Sequence, residues 1–448
     1  MSEEKKFNRW FVVLGALMIQ ISLGAIYIYS VFKPALKDKF PDWSPTDLAL
    51  PSQLVLAFFA LSMIIFGRIQ DKLGPRKIAT LGGILLGVGL IIASFASNLF
   101  VFVLGFSIIG GIGIGAAYVC PIATCVKWFP DMRGLITGLA VAGFGAGALV
   151  FTPVAKALIA SQGIMTTFLY LGIIFLIAVV IGAQFMINPP AGYKPEGWNP
   201  PAPATTSSGA VQKVDFTWQE MLKTAQFWLL WLTYFAGCTA GLMIIMNATN
   251  VWQSFSLLSI FNNSPISKDT FEGIISRGAS AVIIVSILNA IGRIAWGKVS
   301  DSIGRRPTLM IMFIYAGVIM FLLQFFKSYG LYLFGVASIG FCFGGFLALY
   351  PAVTADFFGT KNVGANYGWM FSAYGAGGLF GPWLAPKLMK VVQQVPYETA
   401  DKGGAIIQKT YEAGDYTTAF IISGVLCIIS AILIAILKAP KVEEKTQG

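Results

Sequence analysis

One arginine limits the chemistry this sequence can do. Arg293 stands inside a long apolar run, eight positions before Asp301, where that run meets charged residues. Eight helical residues rise roughly 12 Å, which puts the guanidinium deep in an apolar layer. A cation there costs several kcal/mol unless it is paired or faces water. No acid shares its depth. The Asp and Glu residues fall in polar stretches, tails or the ends of apolar runs, with Glu272 and Asp356 as borderline cases. A planar group with five N–H donors and no buried counter-charge suits a carboxylate. The competing reading is a structural cation satisfied by backbone carbonyls. Asn289 lies one helical turn earlier, on the same face. Its amide suits orienting the guanidinium, hydrogen-bonding a ligand, or packing one helix on another.

Other chemistry is excluded by composition. The 448 residues include no histidine, so imidazole metal sites, histidine-ligated haem and histidine bases are ruled out. The five cysteines all lie in apolar runs and none has Cys-x-x-Cys spacing, so neither a zinc site nor a disulfide framework is indicated. No metal and no cofactor is expected. Residues are 56% hydrophobic and 11% charged, against about 25% charged in a soluble domain. Such a chain belongs in lipid. The net charge of +11 sits in short segments between apolar runs. That fits anchoring against anionic lipid and not a nucleic-acid partner.

The elements that must position Arg293 are membrane spans. A span needs about 20 apolar residues. Runs near 10–32, 48–67, 78–96, 100–126, 134–158 and 165–187 qualify, as do runs near 227–250, 273–297, 308–326, 329–355, 363–390 and 416–438. The reading is an all-α integral membrane protein of twelve transmembrane helices. The first run follows Lys5, Lys6 and Arg9 and is too long for a signal peptide, so it is expected to be retained. With an even count, both termini share one side, and Lys and Arg are in excess there. This places both termini in the cytoplasm and the chain in the cell inner (plasma) membrane. Residues 188–226 separate a 1–187 bundle from a 227–448 bundle with its tail. The segment begins as a stiff proline-rich linker containing Pro189, Pro190, Pro195, Pro200, Pro201 and Pro203. It continues into a short interfacial helix, with Thr217 and Glu220 as a capping box and Phe216, Trp218, Met221 and Leu222 facing lipid.

The two groups of six repeat. Gly67, Asp71 and Gly74 after the second run match Gly297, Asp301 and Gly304 after the eighth, each pair 230 positions apart. The same offset pairs Pro121 with Pro351 and lays Gly145-Ala146-Gly147 on Gly375-Ala376-Gly377. It also maps Arg293 onto Met63 and Asn289 onto Phe59, so symmetry did not demand the charge. Parallel six-helix repeats are one architecture of secondary transporters, with the substrate between the halves near the midplane.

The pattern Gly67…Asp71…Gly74-Pro75-Arg76-Lys77, repeated at Gly297…Asp301…Gly304-Arg305-Arg306, resembles the signature of the major facilitator superfamily. Glycine lets helices approach closely. Aspartate can cap a helix N-terminus or pair with arginine across the loop. Asn8-Arg9-Trp10, Lys127 to Gly134 (KWFPDMRG) and Asn366-Tyr367-Gly368 resemble the oxalate/formate antiporter family, which borders on lactate and pyruvate transporters. The resemblance implies that Arg293 binds a carboxylate. It further implies that Tyr118, Phe343, Phe371 and Tyr374 line the substrate site and that Lys33 stands at the outer mouth, where it is one coupling candidate beside the span-end acids Glu272 and Asp356 and the substrate carboxylate itself. Phe144 is added as the repeat mate of Tyr374. Each of these aromatics also reads as helix packing, and Lys33 also reads as a snorkelling lysine. In proton-coupled relatives an Asp usually stands where this chain has Asn289, which cannot titrate. The expectation is a carrier of a small organic anion, a monocarboxylate such as lactate or pyruvate, with protons as the coupling ion. The alternative is an exchanger of the oxalate/formate type.

Overall fold

A computed structural model describes residues 7–198, 215–400, 406–438 and 440. Lys5, Lys6, Pro200, Pro201, Pro203 and nearly all of the tail after 438 lie outside the described residues. Ten helices are long and apolar enough to cross a membrane. The longest, Arg133–Gln184, is two spans merged across Gly163, whose φ of 77° is one that side chains rarely adopt. Val363–Leu388, a continuous helix outside those ten that carries Pro382 and Pro386 near its end, counts as a further span. The spans are therefore α1 (Trp10–Lys39), α2 (Pro45–Leu73), α3 (Pro75–Ser94), α4 (Leu99–Trp128), α5 and α6 (133–162 and 164–184), α7 (Ala225–Ile260), α8 (Lys268–Ile303), α9 (Arg305–Leu323), α10 (Tyr329–Phe358), α11 (Val363–Leu388) and α12 (Thr417–Ile436). The face from which α1 starts is the inner face.

Local sequence sets the boundaries. Ser44 and Asp47 form a capping box ahead of α2, with Pro45 in its first turn. Asn98, Thr224 and Ser328 cap α4, α7 and α10 through their side-chain oxygens. Gly74 (φ 90°) and Gly304 (φ 92°), repeat mates, end α2 and α8 in the same left-handed turn. The linker helix, Trp218–Leu222, carries the reciprocal Thr217–Glu220 pair. Its apolar side does not face lipid as expected. Phe216 and Met221 are buried, and the Phe216 N–H donates to the Phe358 carbonyl at 2.9 Å. The rim of the second half offers that side a protein surface.

The outer face departs from an all-helical reading. Between α11 and α12 the chain forms an antiparallel hairpin, β1 (Lys390–Ala400) and β2 (Ile406–Asp415). Its valines, isoleucines, threonines and tyrosines are residues that suit a pleated, half-buried surface. The hairpin is strapped to the α7–α8 connection. The Ile266 N–H donates to Pro396 and the Glu398 N–H to Ile266, both at 2.9 Å. Tyr397 stacks on Phe271 at 3.8 Å.

The halves meet along two repeat-related helix pairs, α2 with α11 and α5 with α8. Both pairs close at the inner face by the same device. The Asp301 carboxylate accepts from the Gly134 and Leu135 N–H groups at 2.9 and 2.8 Å. The Asp71 carboxylate accepts from Gly364 and Ala365 at 3.3 and 2.7 Å. Each aspartate thus caps the N-terminus of a helix in the other half, where unsatisfied N–H groups and the helix dipole favour an anion. Gly67 lies against the Gly364 carbonyl, and Gly297 against Gly134, too closely for any side chain. Arg305 pairs with Asp301 at 2.7 Å and with Asp356 at 2.8 Å, and Arg133 pairs with Asp356 at 2.5 Å. Arg76 is absent from this lock. It donates to the Gln184 carbonyl at 2.7 Å, within its own half. Its counterpart by the repeat is Arg306, which donates to Ala435 at 2.6 Å, and Arg305 aligns with Pro75.

Adding a side chain at Gly364 should force the inner face apart. In Gly364→Val, spin labels at exposed Lys77 and Lys361 should show a longer inter-half distance than in the parent protein. An unchanged distance distribution would show that the glycine contact is dispensable.

Candidate functional site

Arg293 and Asn289 project from α8 into the middle of the bundle, 3% and 7% exposed. The Asn289 side-chain oxygen accepts from Arg293 Nε at 3.1 Å and from Nη2 at 2.9 Å. Its own amide donates to the Gly340 carbonyl of α10 at 3.1 Å, which fixes its orientation. Nη1 donates to the Val141 carbonyl of α5, across the boundary between the halves. Three of the five guanidinium donors therefore have oxygen partners. None of these partners is an acid, so the positive charge stands unneutralised.

Gly145 leaves one side of the guanidinium uncovered. A Cβ built there would lie 3.1 Å from the central guanidinium carbon. Gly344 does the same for the stem, with the Arg293 Cγ 3.2 Å from a hypothetical Cβ. Two glycines, on α5 and α10, thus admit the arginine and the space beside it.

An aromatic cluster adjoins this space. Tyr118 of α4 meets Phe144 of α5 edge to face at 4.9 Å and lies 5.4 Å from Phe371 of α11. Phe371 stacks on Tyr374 at 4.7 Å. Phe59 of α2 contacts Tyr118, Phe144 and Phe371 at 5.1 to 5.9 Å. The Tyr27 and Tyr374 hydroxyls share a hydrogen bond of 2.8 Å between α1 and α11. Tyr27 also sits edge to face on Phe144 at 5.3 Å, in a 3₁₀ stretch, Gly24–Ile28, that interrupts α1. The phenols of Tyr27 and Tyr118 both lie within electrostatic reach of Arg293. Together these groups set one cation and a few hydroxyls against a mostly apolar aromatic wall, the composition of a small-ligand site.

Comparison with known proteins supplies the family. A model described as Major Facilitator Superfamily matches residues 11–267 and again 254–448. The chain belongs to the major facilitator superfamily. It is 31% identical over 373 residues to the uncharacterized MFS-type transporter YhjX of Escherichia coli K12, covering 83% of this chain and 86% of that one. It is 29% identical over 392 residues to the oxalate:formate antiporter of Oxalobacter formigenes, with 84% of each covered. It is 27% identical over 414 residues to apicoplast pyruvate carrier 1 of Toxoplasma gondii, covering 81% of this chain and 73% of that one. Among solved structures, the proton:xylose symporter XylE bound to 6-bromo-6-deoxy-D-glucose shares the fold. Its TM-score is 0.66 at 13% identity, over 97% of this chain and 96% of that one. The protein is a membrane-spanning transporter of this superfamily and not an enzyme.

Within this superfamily fold, Arg293, Asn289, Tyr118, Phe144, Phe371 and Tyr374 come together at the centre. Two other sequence candidates stand apart. Phe343 is buried against Gly241 of α7, and no ring contact joins it to the cluster among the described residues. The Lys33 ammonium lies 5.8 Å over the Tyr29 ring in the outer part of α1, roughly 9 Å along the helix from Tyr27. Sequence reasoning passed over Phe59 and Tyr27. Phe59 had a signal, since the repeat places it where the second half has Asn289. Tyr27 had none, because only the 3₁₀ stretch turns it toward Tyr374 while Tyr29 turns away to donate to the Leu48 carbonyl.

Gly145→Val should abolish ligand binding by pushing the guanidinium from its place, while yield and thermal stability stay near those of the parent. Asn289→Leu should weaken binding about ten- to a hundredfold, as two charge-assisted hydrogen bonds that orient Arg293 are lost. Calorimetric titration of the purified transporter reads both. Binding within twofold of the parent in either variant would contradict the assigned geometry.

Proposed function

We propose that the protein carries a small monocarboxylate, lactate or pyruvate ahead of formate, by proton-coupled symport across a cell inner membrane. The observation that carries this reading is the single unneutralised cation, Arg293, at the centre of an aromatic chamber. A monoanion balances it. A dianion brings a second carboxylate that must lose water without a partner, at a cost of several kcal/mol. Tyr374 and Phe371 suit the short remainder of a monocarboxylate, an apolar carbon end with a 2-hydroxy or 2-keto oxygen. The pyruvate carrier among the relatives agrees with this class, and the oxalate:formate antiporter agrees with a small carboxylate more broadly.

In this reading the 1–187 and 227–438 bundles rock about Arg293, and the inner face is cytoplasmic, with both termini. The guanidinium clamps the carboxylate, Asn289 holds the guanidinium, and Tyr118, Phe144, Phe371, Tyr374 and Tyr27 wall the chamber, with Phe343 behind it. Among the described residues no acid pairs with Arg293. Glu272 is exposed near Lys268 at the outer face, and Asp356 belongs to the inner lock. The proton therefore travels on Lys33 or on the substrate carboxylate.

Uptake of labelled lactate into proteoliposomes should saturate, rise with an inward proton gradient and resist competition by oxalate. Arg293→Gln and Arg293→Lys should both lower lactate affinity by more than about a hundredfold, since an ammonium cannot make the bidentate contact. Lys33→Ala should blunt the response to the gradient, and Tyr374→Lys should gain partial oxalate binding. Uptake indifferent to the gradient but driven by a trans anion would select the exchanger instead. Oxalate bound as tightly as lactate would overturn the one-charge argument.

A further inference from the structure

A second cavity opens at the inner face, away from the central chamber. It holds about 230 Å³ and lies between Arg68, Asp71 and Lys72 of α2, Trp218 and Gln219 of the linker helix, and Asn362 ahead of α11. Arg68 and Lys72 stand one helical turn apart and repel each other. Neither has an ion-pair partner among the described residues. The Asp71 carboxylate is already engaged by two backbone N–H groups of α11 and by Lys127 at 3.6 Å. The walls are left with an excess of positive charge. The Arg68 guanidinium lies 5.9 Å over the Trp218 ring, which stacks on Trp369 at 5.7 Å.

The surface beside the cavity indicates what fills it. Leu61 and Ile65 precede Arg68 and Lys72 on one face of α2, and both are more than half exposed. An exposed apolar stripe that ends in two cations matches an acyl chain leading to a charged headgroup. Trp218 and Trp369 beside the cations, with exposed Trp228 nearby in the chain, match the indole belt found at headgroup depth. We propose that this cavity binds the phosphate of an anionic phospholipid from the leaflet at the inner face. The Arg68 fork and the Lys72 ammonium hold the phosphate oxygens.

Such a lipid is selective for one conformation. α2 belongs to the first half. The linker segment is fastened to the second, since Asn362 and Asn366 both donate to the Phe216 carbonyl, at 3.0 and 3.1 Å. The cavity therefore has both its walls only while the inner face is closed. A ligand that needs both walls shifts the population toward that state. The repeat-related place on α8 carries Lys298 and Ser302, one cation where α2 has two.

The test uses the full-length protein in detergent. Phosphatidylglycerol should raise its Tm by several degrees more than phosphatidylcholine with the same acyl chains. The Arg68→Gln/Lys72→Gln double variant should lose that difference, and Lys298→Gln should keep it. In nanodiscs, phosphatidylglycerol should shift spin labels at Lys77 and Lys361 of the otherwise unaltered protein toward the shorter distance. An equal response to the two lipids, or an undiminished difference in the double variant, overturns the site. Inorganic phosphate or glycerol phosphate giving the full shift at matched concentration overturns the lipid as its source.

Discussion

The constraint on which this structure turns is the charge of Arg293 in an apolar bundle without histidine and, among the described residues, without an acid paired to it. Carbonyl and amide oxygens lower the cost of burying a guanidinium, but they do not cancel its charge. A carboxylate in its place would have cancelled it and removed the attraction for an anion. One of those oxygens, on Val141, belongs to the opposite half. The guanidinium is thus a bridge between the two bundles and, on the proposed function, also the ligand's counter-charge. A ligand that draws Nη1 toward itself draws it away from α5. On the proposed function, occupancy and the relative position of the halves are coupled through this one group.

The inner lock is built from forces of a size that suits switching. Each aspartate-to-N–H cap is a charge-assisted hydrogen bond, worth about 1.5–3 kcal/mol. On opening, the aspartate and the helix N-terminus both return to water, so neither is stranded without a partner. Sealing the same face with a large apolar patch would leave that patch exposed in the other state. Glycines at 67, 134, 297 and 364 let backbone meet backbone, which keeps the contact area small and the caps short. The duplication explains why the device occurs twice. All four glycines and both aspartates obey the single offset of 230 residues.

Much of this was legible in the sequence because it rests on periodicity and on rare residues. Twelve apolar runs, a constant repeat offset and one arginine deep in a span are visible without coordinates. Asn289 followed from helical spacing alone. What stayed hidden depends on the third dimension. Phe343 and Phe371 look alike as aromatics in apolar helices, and only packing separates the ring over Gly241 from the ring on Tyr374. Arg76 and Arg305 occupy similar places in the written motif, but the constant offset pairs Arg76 with Arg306, and the structure gives those two the same task. The paired strands at 390–400 and 406–415 fall between two spans, where a loop was the simpler expectation. The apolar side of the linker helix reads equally well as facing lipid or protein, and the rim of the second half decides it.

The two halves of the lock are alike in design but unequal in strength. Around Asp301 both backbone bonds are shorter than 3.0 Å, and Arg305, Asp356 and Arg133 form a continuous ionic chain linking α9, α10 and α5. Around Asp71 one backbone bond is 3.3 Å and the only ionic partner among the described residues is Lys127 at 3.6 Å. Arginine forks hold carboxylates with more directional strength than an ammonium does. The α5–α8 contact is therefore the more densely bonded of the two, and the sparser one is α2–α11. That is the side where the linker helix lies across the cleft and where Arg68 and Lys72 stand without acidic partners. The more sparsely bonded latch thus coincides with the cavity lined by Arg68 and Lys72, which is where an outside anion would act on the closed inner face if the proposed lipid site is occupied.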